Sequence, residues 1–292
     1  MSDSLSVWVA GARPRTLPAA VAPILAGVAS AGALGAWDWP VAALCLVVAL
    51  AMQVGVNYAN DYSDGVRGTD DERVGPTRLV ASGLASPRAV KSAAFGAFGV
   101  GAVAGLAVVA LSGQWWLLLV GAACIVAAWF YTGGRKPYGY LGLGEVMVFV
   151  FFGLVATVGT AYVISGSAPP HAWLAGAAVG ALASAILVAN NLRDIETDRV
   201  AGKMTLPARL GDRNARLFYA GLCALAGLAV VVFAALTTWF ALLALLGLAL
   251  LVDPLRRVLG GALGRDLIPV IQATGFAEIG VGLGLLIGVL LA

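Results

Sequence analysis

Residues 40–68 read PVAALCLVVALAMQVGVNYANDYSDGVRG, an apolar run over 40–60 that passes without a break into Asn57, Asn60, Asp61, Asp64 and Arg67. A run of this length as a helix matches the ~20 residues that a bilayer core requires. No strand-like alternation competes with the helical reading. Carboxylates at the end of such a span are expensive unless they serve a function. The stretch therefore predicts a membrane helix that delivers acidic groups to one membrane face.

The rest of the chain repeats the apolar half of this pattern. Of its 292 residues, 61% are hydrophobic and only 11% charged, less than half the charge of an ordinary soluble domain of about 25%. The 38 glycines lie inside apolar runs, where small residues let helices approach closely in lipid. Nine spans are expected, at about 17–36, 40–60, 91–112, 115–132, 141–165, 172–192, 215–236, 238–256 and 268–291. The fold class is thus all-α, integral to the membrane, with nine transmembrane helices around a central cavity in one domain over 1–292. Met1 to Gly11 lacks the basic start and cleavage site of a signal peptide, so the first apolar segment is expected to remain as a span.

Charge gives the orientation. With nine spans, all 18 Lys and Arg fall on the side of the N-terminus: Arg13 and Arg15, the set from Arg67 to Lys91, Arg135 and Lys136, the set from Arg193 to Arg216, and Arg256, Arg257 and Arg265. Basic residues stay cytoplasmic, which predicts an N-terminus inside, a C-terminus outside and both acidic loops facing the cytoplasm of a plasma membrane. Trp37, Trp39, Trp115, Trp116, Trp173 and Trp239 cluster at the opposite ends of spans, as interfacial anchors do.

The acidic pattern itself occurs twice. Asn57, Asp64, Val66 and Gly68 match Asn191, Asp198, Val200 and Gly202 at a constant offset of 134, with Asn60 opposite Asp194. A duplicated helical unit is the natural reading, with a first half of about 17–132 and a second of about 141–292. Within each copy the key oxygens stand four residues apart, Asn60 with Asp64 and Asp194 with Asp198, hence on one helix face. Adjacent carboxylates repel and ask for a cation. Oxygen ligands without His or Cys suit Mg²⁺, which completes its shell with water and phosphate. Arg67, Arg73 and Arg78 follow the first copy, and Lys203 and Arg209 the second. Carboxylates for metal beside cations for the remaining charge are what a metal-bridged polyanion needs. A diphosphate fits.

Other classes fit less well. Acids interleave the arginines and no stacking platform accompanies them, so no nucleic acid is expected. No Gly-rich loop ending in Lys-Ser/Thr is present. Cys45, Cys124 and Cys223 lie far apart in apolar stretches and read as small hydrophobes. His171, the only histidine, falls in an outward turn and is expected at the surface. Glu278 lies mid-span and should face the bundle interior. A transporter remains the rival from another class, since repeats and intramembrane polar groups suit one.

Asn60-Asp61-Tyr62-Ser63-Asp64 and Asn190 to Asp198, together with Tyr131 to Glu145 and Gly202 to Gly211, resemble the UbiA superfamily of intramembrane prenyltransferases, and within it the branch acting on 1,4-dihydroxy-2-naphthoate in menaquinone synthesis. Gly68, where many members carry a third acid, also looks like that branch. The resemblance spans the chain. It implies transfer of a polyprenyl group from polyprenyl diphosphate to 1,4-dihydroxy-2-naphthoate with loss of carbon dioxide, giving demethylmenaquinone. Other acceptors (hydroxybenzoate, homogentisate, haem or a phosphosugar) stay open. By resemblance, Asn60, Asp61, Asp64, Asp194 and Asp198 would hold two Mg²⁺ ions, one per motif. Arg67, Arg78, Arg135, Lys136, Lys203 and Arg209 would bind diphosphate, and Asn57, Tyr138, Tyr140 and Asn191 the substrates. Asp64, Asp194, Asp198, Lys136 and Glu145 would be catalytic, Glu145 by positioning or deprotonating the acceptor.

Overall fold

The computed structural model describes residues 2–68 and 78–292, so Arg73 lies outside the described residues. Those residues are helical and contain no strand. In chain order the main helices are α1 (Ser2–Ala12), α2 (Pro18–Gly32), α3 (Trp39–Arg67), α4 (Pro87–Ser112), α5 (Leu117–Phe130), α6 (Gly144–Ser165) and α7 (Pro170–Arg193). The short α8 (Ile195–Val200) and α9 (Leu206–Leu210) follow, then α10 (Asp212–Leu236), α11 (Trp239–Leu259) and α12 (Gly264–Leu290).

All nine expected apolar segments fold as helices. Seven of them, α3, α4, α6, α7, α10, α11 and α12, are long and apolar enough to cross a membrane, and the protein is a multi-pass membrane protein. The other two, α2 with 15 residues and α5 with 14, are shorter. At 1.5 Å per residue they reach roughly 21–23 Å, less than a ~30 Å hydrocarbon core. The N-terminal α1, not anticipated from the sequence, docks on the end of α3, where the Tyr58 hydroxyl donates to the Trp8 carbonyl at 2.8 Å and the rings meet edge-on.

The core is built on α7, whose alanines and glycines leave room for close neighbours. A methyl group at Gly153 of α6 would sit 2.6 Å from the Cα of Gly180, so the two backbones touch there. Around this crossing α6 widens into π turns over Phe149–Val155. α12 packs against α11 in the same way, Gly280 against Gly247. The six tryptophans expected as anchors are all exposed. His171 departs from expectation: it is buried, its Nε2–H donates to the Ser30 carbonyl at 3.0 Å, and its ring meets Phe233. The turn that carries it begins α7 and tucks the ring between helices. Glu278 is fully buried in α12 with no hydrogen-bond partner for its carboxyl among the described residues, and it does not line the cavity described next.

Candidate active site

A cavity of about 1010 Å³ runs into the bundle among α2, α3, α4, α5, α6, α7 and the start of α12. Its two ends differ in chemistry. One is lined by Asn57, Asn60, Asp64, Arg78, Asn190, Asn191, Arg193 and Lys203, with Tyr131, Tyr138 and Tyr140 beside them. The other is apolar, with Val108, Leu117, Phe151, Phe152 and Val155 among its walls. The basic loops converge at the polar end. Arg67 donates to the Thr132 and Gly134 carbonyls, and the Met204 amide donates to the Tyr140 carbonyl at 3.1 Å.

The first motif occupies the last turns of α3. One helix face carries Asn57, Asn60 and Asp64 to the cavity. Asn60 accepts from the Thr132 hydroxyl at 2.8 Å, and Asp64 from the Tyr140 hydroxyl at 2.7 Å. Gly68 then ends the helix at φ 74°, a left-handed position that a third carboxylate-bearing residue would occupy only under strain. Asp61, expected as a metal ligand, points elsewhere. It is fully buried and its two oxygens accept from the backbone N–H groups of Leu79 and Val80 at 2.8 and 3.0 Å. Successive helix residues diverge by about 100°, so Asp61 anchors the 79–80 turn and thereby holds neighbouring Arg78 at the cavity. Asn57 is likewise committed to structure: its amide donates to the Ala12 carbonyl at 2.8 Å and the Thr16 hydroxyl at 2.9 Å. Both bonds fasten the segment that leads into α2.

The second motif is arranged differently. α7 ends at Arg193, Asp194 breaks the helix at φ −106° and ψ 11°, and α8 restarts at Ile195. The Asp198 amide still bonds the Asp194 carbonyl at 2.8 Å, so the two acids keep their one-turn spacing. Neither lines the cavity, because cations stand in front of them. Arg193 donates in bidentate fashion to both Asp194 oxygens at 2.7 Å, both side chains being nearly inaccessible. Lys203 reaches an Asp198 oxygen at 3.5 Å. Asn191 donates to Glu145 at 2.9 Å, and the Ser184 hydroxyl to the Glu145 carbonyl at 3.0 Å. Glu145 is buried behind Asn191, with no hydrogen-bond partner for its second oxygen among the described residues.

Tyr140 joins the two halves. Its hydroxyl holds Asp64 while its ring lies between the Arg67 guanidinium at 5.4 Å and the Lys203 ammonium at 5.6 Å. Nothing in the sequence marked it as the link, since a tyrosine 76 residues from its partner carries no local signal. Tyr138 donates to the Ala127 carbonyl at 2.8 Å, and burial pushes its phenol up to about 12, so it stays neutral near neutral pH. Four cations expected at the diphosphate lie off the cavity lining, Arg67 among them through its bonds to the Thr132 and Gly134 carbonyls. Arg135 and Lys136 are exposed, because Gly134 at φ 77° and extended Pro137 turn that loop outward. Arg209 donates to the Met204 carbonyl at 3.1 Å against Gly142, tying loops together.

No group of three or more His, Cys, Asp or Glu side chains is assembled to hold a metal among the described residues, so an all-protein cage is absent. Paired oxygens on each side, with Arg78, Arg193 and Lys203 between them, suit a hard ion that takes its remaining ligands from phosphate and water. The residues fit Mg²⁺ shared with a diphosphate.

Comparison with known proteins agrees. The model of the UbiA prenyltransferase family matches residues 20–260. The chain is similar to 1,4-dihydroxy-2-naphthoate octaprenyltransferase of Mycobacterium tuberculosis, 52% identical with 94% of this chain and 93% of that one covered. It is also similar to the protein of that name in Escherichia coli, at 42% identity over 85% and 82%. Among solved structures, the apo UbiA homolog of Aeropyrum pernix K1 superposes with a TM-score of 0.69 at 17% identity, over 94% of this chain and 97% of that one. A UbiA homolog of Archaeoglobus fulgidus bound to DMAPP and Mg²⁺ gives 0.62 at 16%, over 94% and 99%. A helical membrane bundle with twin acidic motifs at a polar cavity mouth, matched over most of its length, belongs to the UbiA prenyltransferase family.

Proposed function

We propose that this protein transfers a polyprenyl group from its diphosphate to 1,4-dihydroxy-2-naphthoate, with loss of carbon dioxide, at the polar end of the cavity. One observation carries the reading: a single cavity joins a cation- and carboxamide-lined mouth to a large apolar chamber, the two environments that a prenyl diphosphate combines in one molecule. The names of the similar enzymes support the acceptor. The nine-helix count, a cytoplasmic N-terminus and a mouth on the cytoplasmic side of the plasma membrane are part of this proposal, supported by the confinement of basic residues to one set of loops.

Asn60 and Asp64 on one wall, and Asp194 and Asp198 one layer behind the other, would hold Mg²⁺, one ion per motif. When bound, Mg²⁺ supplies Lewis-acid neutralisation of the leaving diphosphate. Arg78, Arg193 and Lys203 stand where negative charge grows as the donor C–O bond breaks, and fixed cations there lower the barrier. Arg193 and Lys203 balance Asp194 and Asp198 until the diphosphate arrives to share them. The apolar walls shield the allylic cation from water. The electron-rich ring then attacks it, and the ring carbon sheds its carboxylate as carbon dioxide. Asn191, oriented by Glu145, is the group proposed to place the acceptor, and neutral Tyr138 a hydrogen-bonding wall. Arg67 acts through Tyr140 rather than on substrate.

The test is direct. Purified protein with Mg²⁺ and a polyprenyl diphosphate is offered the naphthoate, hydroxybenzoate, homogentisate and haem in turn. Prenylated, decarboxylated product from the naphthoate is expected. Its absence, or accumulation of an intact solute in sealed vesicles without product, overturns the reading.

A further inference from the structure

α11 and α12 form an open groove that is separate from the central cavity. Its volume is about 490 Å³, and Leu250 of α11 lines it with Ala273, Phe276, Ile279, Gly280 and Leu283 of α12. The two backbones touch at its floor, where a methyl group on Gly280 would stand 2.8 Å from the Gly247 Cα. Leu250, Phe276 and Leu283 are exposed, Phe276 by 63%. Cations stand at one end of this groove. Arg265 precedes Phe276 by three helical turns and so shares its face, about 16 Å away. Arg257 follows Leu250 by two turns, again on one face and about 10 Å away. Both arginines are exposed, as is neighbouring Arg256. The acids there are Asp266 and Asp253, and Asp253 pairs with Arg257 at 2.7 Å with both side chains exposed. Such a surface pair is weak and can be shared with a phosphate. Arg216 is already committed: it is buried, grips Asp212 with two bonds and donates to the Val258 carbonyl at 2.6 Å, pinning the end of α11 to α10. Exposed Trp239 marks the opposite end of α11. From Trp239 to Arg257 a helix spans about 27 Å, close to the ~30 Å hydrocarbon core. The groove thus lies at acyl-chain depth and the arginines at headgroup level.

We propose that this groove is a binding site for one anionic phospholipid, with its phosphate held by Arg257 and Arg265 and an acyl chain laid along Leu250, Phe276 and Leu283. Charge selects this occupant. A second copy packed through the same face about a two-fold axis would bring two sets of arginines together, whereas an anionic headgroup meets them with the opposite sign. A zwitterionic lipid offers the same chain without net charge, so preference for the anionic headgroup is the signature of the site. The volume falls within the ~300–1,000 Å³ of ordinary ligand sites. No bond is made or broken there, and the site is independent of the prenyl-transfer chemistry.

The experiment releases the full-length protein from nanodiscs of equal phosphatidylglycerol and phosphatidylcholine and counts retained lipid by native mass spectrometry. The parent should keep phosphatidylglycerol in preference to phosphatidylcholine. In the double variant Arg257→Ala/Arg265→Ala, phosphatidylglycerol retention should fall roughly ten-fold, since each basic residue near an anionic headgroup contributes about five-fold. Ala273→Trp, which fills the groove and keeps the arginines, should lose the lipid as well. Arg88→Ala, an exposed cation at the start of α4, should stay within about two-fold of the parent, which separates a site from general attraction to positive charge. A parent-like melting curve in phospholipid-free detergent reports that the arginine variant is folded, as expected for exposed side chains. Equal retention of the two lipids by the parent, unchanged retention in the double variant, or an equal fall in Arg88→Ala overturns the proposal. A lipid-free dimer that Ala273→Trp dissociates also overturns it, by assigning the groove to a second copy.

Discussion

In the first motif, Asn60 and Asp64 meet neutral hydroxyls, those of Thr132 and Tyr140, and both side chains face the cavity. In the second, Asp194 and Asp198 meet cations, Arg193 and Lys203, and sit one layer behind the lining. Sequence copies at an offset of 134 thus differ in the partners they meet: hydroxyls at Asn60 and Asp64, cations at Asp194 and Asp198. The difference follows from charge. Asn60 stands where its counterpart is Asp194, so at these paired positions the first copy carries one carboxylate, with the Thr132 and Tyr140 hydroxyls among its partners. The second carries two, nearly inaccessible and a turn apart, and burial of such a pair without cations is prohibitive. The asparagines that begin the motifs remain alike. Asn57 fastens the segment before α2, and Asn191 fastens Glu145 at the start of α6.

The largest expected effect tests whether both copies serve chemistry. Asp64→Ala and Asp198→Ala should each lower kcat with the naphthoate by on the order of 10³-fold, the scale of losing a principal electrostatic contact in the transition state. Near-parent turnover in either variant would reduce that copy to scaffolding. Next comes the contrast in stability. Arg193→Ala removes the bidentate pair from buried Asp194 and should destabilise the protein by about 3 kcal/mol or more, read as an earlier thermal transition in detergent. A melting curve unchanged in Arg193→Ala would break the distinction drawn between the copies. Tyr140→Phe keeps the ring between Arg67 and Lys203 but removes the hydroxyl from Asp64. Turnover should drop on the order of ten-fold, with a smaller thermal shift than in Arg193→Ala, since one hydrogen bond to a charged group contributes about 1.5–3 kcal/mol. An equal loss of stability would make Tyr140 a packing residue only. Smallest is Thr132→Val, which removes the hydroxyl on Asn60 and should cost about 1 kcal/mol of stability. A shift as large as that of Arg193→Ala would show the two copies to be held equally firmly.

Much of the architecture was legible before the structure. The apolar runs at 91–112 and 141–165 became Pro87–Ser112 and Gly144–Ser165, since length and hydropathy alone decide a membrane helix. The side-chain assignments were less legible. Asn60 and Asp61 are adjacent, yet one faces the cavity and the other a backbone turn, a choice made by helix phase relative to residues 79–80. Arg135 and Lys136 looked suited to a diphosphate by charge and proximity to the tyrosines, but Gly134 and Pro137 set the direction of their loop. His171 seemed to be surface because it follows two prolines, and its burial depends on where Ser30 of α2 happens to lie.

What the sequence determined by itself was everything that depends on local pattern: apolar length, the four-residue spacing of oxygens and the offset of 134 between the two acidic motifs. These are properties of a chain read against water and lipid, and they hold however the helices are arranged. The tertiary structure alone decided which partners the acids meet and that Tyr140 joins the two motifs from a loop far away in the chain. Those outcomes depend on the meeting of side chains separated by tens of residues, and such meetings are fixed by helix packing rather than by any single segment.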